Sequence, residues 1–259
     1  MAQRWSFKED YIICKYCVEQ EHYHWLGDKE TSEMMERLRE AGFTERSENI
    51  VLRRARQYQE LIWTGESCYA TQQVREIAEV MRNPQMKEMR LAVKRMIKEN
   101  LESSESDVEL IEEGSNLRSC GDLNSIGMNQ YICEIDKTKT LSALLYNYLE
   151  TKGLKNRDVY RKIYMKADTF SKILSGKNDS VKKENVMKLC IGLELTLEQA
   201  KEFMASESYD FSPSKMLDVV IKSCLYHRIY NPVCVNIELA ENGEPEFFVK
   251  AKEKKKKKK

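Results

Sequence analysis

The sequence lacks the short motifs by which common enzyme classes are recognised. It contains no glycine-rich phosphate-binding loop, no serine nucleophile turn and no metalloprotease helix. Only three histidines, His22, His24 and His227, are present to act as general bases. These absences favour a non-catalytic protein, and we expect it to need no cofactor.

Long apolar runs are also missing. No segment approaches the roughly 20 apolar residues of a membrane-spanning helix, and the opening stretch MAQRWSFKEDYIIC has no apolar core of signal-peptide length. Eight cysteines without such a signal indicate reduced thiols. We therefore expect a soluble cytoplasmic protein.

The net charge is close to zero, but the charges are unevenly distributed. There are 43 Lys and Arg residues against 42 Asp and Glu residues, which leaves a formal charge of +1. Residues 99–136 carry ten acidic residues against one arginine, whereas residues 137–188 carry thirteen basic residues against five acidic ones. The neutral total therefore hides an acidic linker that precedes a basic module.

Helical periodicity dominates the first part of the chain. Apolar residues at helical spacing predict helices over 7–19, 29–40 and 47–62, the last with Ser47 as its N-cap. A further helical pattern over 71–98 breaks at Asn83 and Pro84. We expect a three-helix domain over 1–64 and connecting helices over 65–100.

The second part begins after an aperiodic segment. Residues 101–136 are acidic and contain Ser and Gly, which predicts an at least partly flexible linker. A helical domain over 137–240 follows, in which the alternating VCVNIEL after Pro232 predicts a short strand or a segment that caps the domain. Residues 241–259 are predicted to form a basic tail, of which the last residues, KAKEKKKKKK, are expected to be disordered.

One basic stretch of this second domain has the pattern of a helix-turn-helix. Residues 153–177, GLKNRDVYRKIYMKADTFSKILSGK, predict two short helices joined by a tight turn. An amphipathic segment that includes Leu141, Leu145 and Leu149 precedes them, and VKKENVMKLCIGLELTLEQAKEFM adds two more helical segments. The sequence therefore predicts a compact five-helix domain.

Residues 139–236 resemble the lambda-repressor-like, or XRE-type, helix-turn-helix domain found at the C-termini of multidomain bacterial proteins. The resemblance implies that the second short helix enters the DNA major groove while the helix before it touches phosphates. It places Val159, Phe170 and Ile173 in the interior. The residues implied to read bases are Lys166, Asp168, Thr169 and Lys172, and those implied to lie near the backbone are Asn156, Arg157 and Lys177.

Three positions depart from the DNA-binding pattern of that family. Tyr164 stands where the turn usually carries Gly, and Tyr160 stands where a small residue usually packs between the two helices. Asp168 is an acid on the reading face, where it repels phosphate unless it accepts a hydrogen bond from a cytosine amino group. A scaffold that contacts proteins instead of DNA therefore stays open as an alternative.

The first domain resembles a Myb or SANT-like three-helix domain. Trp5, Glu9, Asp10 and Trp25 match that pattern, whose third Trp is missing here, and the candidate third helix carries three arginines. The resemblance implies that this helix contacts DNA or, as in SANT-like relatives, that the domain binds peptides. The implied DNA contacts are Arg53, Arg54 and Arg56, for which a solvated helix face is the alternative.

The segment CKYCVEQEHYH brings Cys14, Cys17, His22 and His24 close in sequence, and thiolates with imidazoles suit zinc. A structural zinc site normally joins two ligand pairs across a longer loop, whereas Cys14 and Cys17 fall on the first predicted helix. Apolar packing of both thiols is therefore favoured, and we predict no metal.

Taken together, the patterns predict an all-α protein of two small helical domains joined by a helical segment and an acidic linker. The leading hypothesis is a cytoplasmic bacterial regulator of transcription that binds double-stranded DNA through tandem helical modules. A protein–protein adaptor in a stress or phage-defence system is the alternative, and an accessory subunit of a nucleic-acid enzyme is a third possibility.

Overall fold

The computed structural model of the protein describes residues 4–20, 26–109, 140–177 and 180–250. This part of the chain forms helices and contains no strand, which confirms the all-α prediction. In chain order the helices are α1 (Phe7–Glu19), α2 (Asp28–Glu40), α3 (Glu48–Trp63), α4 (Gln72–Arg82), α5 (Pro84–Glu109), α6 (Leu141–Thr151), α7 (Asn156–Lys162), α8 (Ala167–Leu174), α9 (Lys183–Gly192), α10 (Leu197–Ala205), α11 (Met216–Tyr226) and α12 (Pro232–Glu241).

Contacts along the chain divide it into two units. The first unit contains the residues up to Lys94 together with Asn231–Val249, and the second contains Arg95–Tyr230 together with the residues from Lys250 onward. The predicted domain boundaries at 64, 100, 136 and 240 remain predictions, but this grouping assigns α4, the start of α5 and α12 to the same unit as the first three helices.

Helix α1 forms the centre of the first unit because most of its surface is apolar. It begins with a capping box, in which the Ser6 amide donates to Glu9 Oε2 at 2.8 Å and the Glu9 amide donates to Ser6 Oγ at 3.2 Å. Its buried residues pack against α3 and α4, with α2 on a further side. The predicted span of this helix is confirmed, and those of α2 and α3 differ from prediction by one residue at the ends.

The predicted break after α4 is confirmed. Asn83 Oδ1 accepts hydrogen bonds from the amides of Gln85 at 3.0 Å and Met86 at 3.3 Å, and Pro84 is the first residue of α5, where its missing N–H costs nothing. Helix α5 then continues to Glu109, so the first nine residues of the predicted linker, 101–109, are helical, while the boundary of the linker remains a prediction. The rest of that linker, 110–136, lies outside the described residues, as does 251–259 of the tail.

The prediction of a strand after Pro232 is wrong, because this segment is α12. Asn231 caps the helix by accepting from the amides of Val233 at 2.9 Å and Cys234 at 3.4 Å, and Pro232 is its first residue. The apolar alternation misled the prediction because α12 is buried on nearly all sides, from Pro232 to Leu239. A helix without a polar face has no clear helical period. Within the first unit it packs against α1 and α4.

The second unit contains α6 to α11 and has its own apolar core. Helix α9 is buried along most of its length and packs against α7, α10 and α11, while α8 packs against α6 and α7. The contact between α9 and α7 is close at Gly192, where an added Cβ would lie 2.8 Å from Ile163 Cγ2 and 3.1 Å from Val159 Cγ1. Gly192 therefore sets the position of α7 on this core.

Replacing Gly192 with alanine should lower the free energy of unfolding by about 1–3 kcal/mol, because the methyl group overpacks the contact with α7. This cost should outweigh the roughly 1 kcal/mol by which alanine is the better helix former. Urea denaturation measures the difference, and Lys201→Ala on the exposed face of α10 should change stability by less than about 0.5 kcal/mol. A Gly192→Ala variant at least as stable as the wild type would refute the close contact.

Candidate nucleic-acid interface

Helices α7 and α8 form a helix-turn-helix whose turn depends on Tyr164. This residue has a φ of 54°, the left-handed conformation that glycine adopts most easily. Its amide donates to the Arg161 carbonyl at 3.2 Å, and the Met165 amide donates to the Tyr160 carbonyl at 2.8 Å. These two bonds are those of a Schellman motif, so the turn keeps its geometry although Tyr replaces the expected Gly.

The two helices are held together by an apolar seam. Val159, Ile163, Phe170 and Ile173 are buried, which confirms the inward positions predicted for three of them. The ring of Tyr160 lies 5.8 Å from that of Phe170, centroid to centroid, so this large residue fills the space between the helices as an aromatic pair. The seam fixes which face of α8 points away from the core.

The residues predicted to read bases lie together at the start of α8. Lys166 is the N-cap and its side chain makes no capping bond, while Asp168 and Lys172 are exposed and Thr169 is half-buried. Asp168 and Lys172 are four residues apart, which makes them neighbours on the helix surface. The charge of Asp168 is therefore offset by a cation on the same face.

The predicted backbone contacts flank this face. Asn156 and Arg157 open α7 and Lys177 follows the end of α8, and all three are exposed. Residues 152–177 contain eight basic residues and two acidic ones. Two of the basic residues bind Glu194, since Lys152 donates to its carbonyl at 2.7 Å and Lys162 pairs with its carboxylate.

Four other cations around α7 and α8 are free to bind a ligand. Among the described residues, no side-chain hydrogen bond or ion pair engages Arg157, Lys166, Lys172 or Lys177. The exposed surface around α8 is therefore positively charged, and its ammonium and guanidinium groups are not engaged by other described side chains. We call the surface formed by Asn156, Arg157, Lys166, Asp168, Thr169, Lys172 and Lys177 the basic face.

The arginines of α3 do not form a second such surface. Arg53 and Arg56 are exposed, but Arg54 is buried and donates to both carboxylate oxygens of Asp10 at 2.6 Å. The prediction of Arg54 as a DNA contact is therefore wrong, because its guanidinium is bound inside the unit. The sequence did contain a signal for this, since Arg54 falls at helical spacing on the apolar stripe of Val51, Ala55 and Tyr58.

The other matches to the Myb-like pattern also make internal contacts. Glu9 binds Arg46 through both of its carboxylate oxygens, at 2.7 and 3.2 Å, and the Arg46 guanidinium lies 4.3 Å from the Trp5 ring centroid. Burial by itself would raise the pKa of Glu9, but the bonds from Arg46 and Ser6 outweigh it and hold that pKa below its usual value. Sequence reasoning missed Arg46, and Trp25 lies outside the described residues.

Cys14 and Cys17 are fully buried on α1, and Cys17 Sγ lies 3.7 Å from the Ala55 carbonyl, to which it donates. Burial raises the pKa of both thiols, that of Cys17 to about 12, so both stay protonated and pack as apolar side chains. His22 and His24 lie outside the described residues. Within the described ranges, no three His, Cys, Asp or Glu side chains are arranged to hold a metal ion.

The chain matches no protein-family model, no curated protein and no solved structure with which it was compared. The resemblances to Myb-like and XRE-type domains therefore remain predictions. Every helix within the described residues is too short or too polar to cross a membrane.

Proposed function

We propose that this protein is a non-catalytic regulator that binds double-stranded DNA through the basic face of the second unit. The observation that carries the proposal is the helix-turn-helix of α7 and α8, which presents cations that no other described side chain engages at the exposed start of its second helix. In this arrangement α8 lies in the major groove and the start of α7 lies against the backbone.

The dimensions of α8 support this role. Eight residues give a helix about 12 Å long, comparable to the roughly 12 Å width of the major groove. Lys166 stands at the end that enters first, and Thr169 and Lys172 follow along the helix. A lysine ammonium donates to guanine O6 and N7 or to a phosphate, and a threonine hydroxyl both donates and accepts.

The acid on this face is compatible with DNA. Asp168 lies in the first turn of α8, where a carboxylate accepts from the exposed N4 amino group of cytosine. Lys172, one turn further along, reduces the local repulsion of phosphate. Asp168 is therefore assigned to base reading, whereas Arg157 and Lys177 are assigned to the backbone.

We assign the first unit a smaller role in DNA binding than the second unit. Its predicted reading helix, α3, has one of its three arginines bound to Asp10 and buried. We therefore assign DNA binding to the second unit, with Arg53 and Arg56 as exposed cations whose removal should have less effect.

The double variant K166A/K172A tests the proposal. If each lysine neutralises one phosphate, the slope of log affinity against log salt should fall by about 1.8, and affinity near 0.1 M salt should fall roughly 10- to 60-fold. Mobility shift of a random duplex at several salt concentrations measures both quantities. The matched control is K201A/K215A, which removes two exposed lysines of the same unit that lie outside the basic face.

Equal losses in K166A/K172A and in the control would contradict the assignment of the basic face. If the wild-type protein binds no duplex even at low salt, DNA binding itself is refuted. The same surface would then be assigned to an acidic protein partner, and the protein to the adaptor class.

A further inference from the structure

A cavity opens on the first unit between the end of α3 and the outer face of α4. Its volume is about 500 Å³, within the roughly 300–1,000 Å³ that is typical of small-molecule sites. Leu61 of α3 and Ala78 of α4 supply buried apolar surface to its wall. The basic face lies in the second unit, so this cavity belongs to no site described above.

Three charged side chains line the cavity from one face of α4. Arg75, Glu79 and Arg82 are spaced four and three residues apart, which places them along a single stripe of the helix. All three are exposed. Seven residues of α-helix rise about 10.5 Å, so the two arginines approach the cavity from separate points with the glutamate between them. The cavity therefore presents positive, negative and positive charge in that order.

Each arginine is held by main-chain carbonyls and not by a carboxylate. Arg82 Nη1 donates at 2.9 Å to the Leu61 carbonyl, one of the carbonyls that the end of α3 leaves without a helical partner. Arg75 Nε donates to the Ala70 carbonyl at 3.2 Å, and its Nη2 donates to the Ser67 carbonyl at 2.8 Å. A carbonyl orients a guanidinium without neutralising it and occupies only part of its five N–H groups. Both arginines therefore keep a full positive charge in a fixed place.

Gly65 makes room for the Arg82 guanidinium. This glycine has a φ of 86°, and an added Cβ would lie 3.2 Å from Arg82 Nη1 and 3.8 Å from Nη2. Any other residue at this position would displace the guanidinium and strain the backbone. The chain after α3 is thus shaped around this charge.

The three charges do not neutralise one another. Residues four or three apart on a helix commonly form ion pairs, yet within the described ranges no ion pair joins Glu79 to Arg75 or Arg82. Both α3 and α4 end at the cavity, and the partial negative charge of a helix C-terminus favours an ammonium over a phosphate. The cavity thus offers two sites for carboxylates and one for an ammonium, and its two arginines and one glutamate give a net charge of +1.

We infer that the cavity binds a free acidic amino acid of the glutamate class. The two carboxylates of the ligand accept hydrogen bonds from Arg75 and Arg82, its ammonium donates to the Glu79 carboxylate, and its methylene groups lie against Leu61 and Ala78. The ligand's charge of about −1 at neutral pH balances the charge of the cavity. This binding is independent of the proposed DNA binding, because the cavity and the basic face are in different units.

Isothermal titration calorimetry of the full chain tests the ligand. L-Glutamate should bind with a Kd below about 1 mM. L-Glutamine lacks one carboxylate and glutarate lacks the ammonium, so each should bind at least about tenfold more weakly, the loss expected for one charge-assisted hydrogen bond. Inorganic phosphate at the same concentration should not compete with L-glutamate.

Variants of the cavity assign the individual contacts. Glu79→Gln keeps the shape of the side chain and removes no bond to the loop after α3. It should bind L-glutamate about tenfold more weakly and should no longer prefer L-glutamate to glutarate. Arg82→Gln should weaken the binding of L-glutamate and glutarate alike, and thermal unfolding without ligand shows whether each variant retains the fold. The matched controls Glu36→Gln and Arg39→Gln, on the exposed face of α2, should change affinity less than about twofold.

Three results would overturn the assignment of the cavity. Wild-type protein that binds no L-glutamate at millimolar concentration excludes the site, and glutarate or phosphate that binds as tightly as L-glutamate shows a general anion site. A Glu79→Gln variant that still prefers L-glutamate to glutarate places the ammonium elsewhere. The titrations contain no DNA, so a failure of ligand binding leaves the proposed function intact, and a failure of duplex binding leaves the cavity intact.

Discussion

Replacing Arg54 with leucine should lower the free energy of unfolding by about 3–5 kcal/mol, although this residue looks like one of three surface arginines in the sequence. The Arg54 guanidinium donates to both oxygens of Asp10 at 2.6 Å, and the Asp10 side chain is 0% exposed. Without Arg54, a buried carboxylate keeps only the hydrogen bond from Gln73 Nε2 at 2.7 Å. The penalty comes from this uncompensated charge and not from the pair's own attraction.

The pH dependence of this loss has a definite sign. Burial raises the pKa of Asp10, and the bonds from Arg54 and Gln73 oppose that rise. In Arg54→Leu the pKa of Asp10 should rise further, so the folded variant binds a proton more tightly than the unfolded chain does. The stability deficit should therefore shrink as the pH falls from the raised folded pKa toward the unfolded value of about 3.9.

Two controls make the result specific. Arg53→Leu changes the exposed neighbour and should alter stability by less than about 0.5 kcal/mol. The double variant Asp10→Leu/Arg54→Leu removes both charges and should recover much of the loss. Urea denaturation at pH 7.5 and pH 5 measures all three variants. If Arg54→Leu were as stable as Arg53→Leu, the buried pair would have no structural role.

Replacing Arg90 with methionine should have an effect of similar size, about 3–5 kcal/mol, on the first unit. Arg90 on α5 binds the buried Glu238 of α12, and its Nη2 lies 3.4 Å from Glu241 Oε2. Burial raises the pKa of Glu238, and the guanidinium opposes this rise. Methionine fills a similar volume, so the loss comes mainly from leaving the Glu238 charge buried without its partner.

Hydrogen exchange of the α12 amides distinguishes this loss from a general weakening. Because Arg90 joins α5 to α12, the amides of α12 should lose protection more than those of α3. Arg95→Met on the exposed face of the same helix is the matched control and should leave both unchanged. Uniform loss of protection over the whole unit would show that Arg90 does not hold α12 specifically.

Most of the helices were predictable because their signals are local. The capping box of Ser6 and Glu9 fixed the start of α1, and Asn83 with Pro84 fixed the break between α4 and α5. The strand prediction for VCVNIEL failed because α12 is buried on nearly every side, and a helix without a polar face gives no 3.6-residue period. Amphipathic elements are readable from one sequence, whereas fully buried ones are ambiguous.

The candidate site was predictable in part for the same reason. Val159, Phe170 and Ile173 alternate with basic residues at helical spacing, so the sequence indicated both the inner and the outer face of α7 and α8. The sequence did not predict that Arg54 is buried, because Arg53 and Arg56 beside it suggested an exposed basic face. Its position on the apolar stripe of α3 was the signal that could have shown this. The left-handed conformation of Tyr164 could not be predicted from the sequence, because tyrosine rarely adopts a positive φ.

By itself the sequence determined the helical class, the positions of most helices and the clustering of basic charge over residues 137–188. Only the tertiary structure decided which charges face solvent and which are buried in pairs. Arg54 meets Asp10 across 44 residues and Arg90 meets Glu238 across 148, and Lys250 reaches the turn at Tyr164. The physical reason is that capping and periodicity act within a few residues, whereas desolvation and ion pairing depend on segments that only the folded chain brings together.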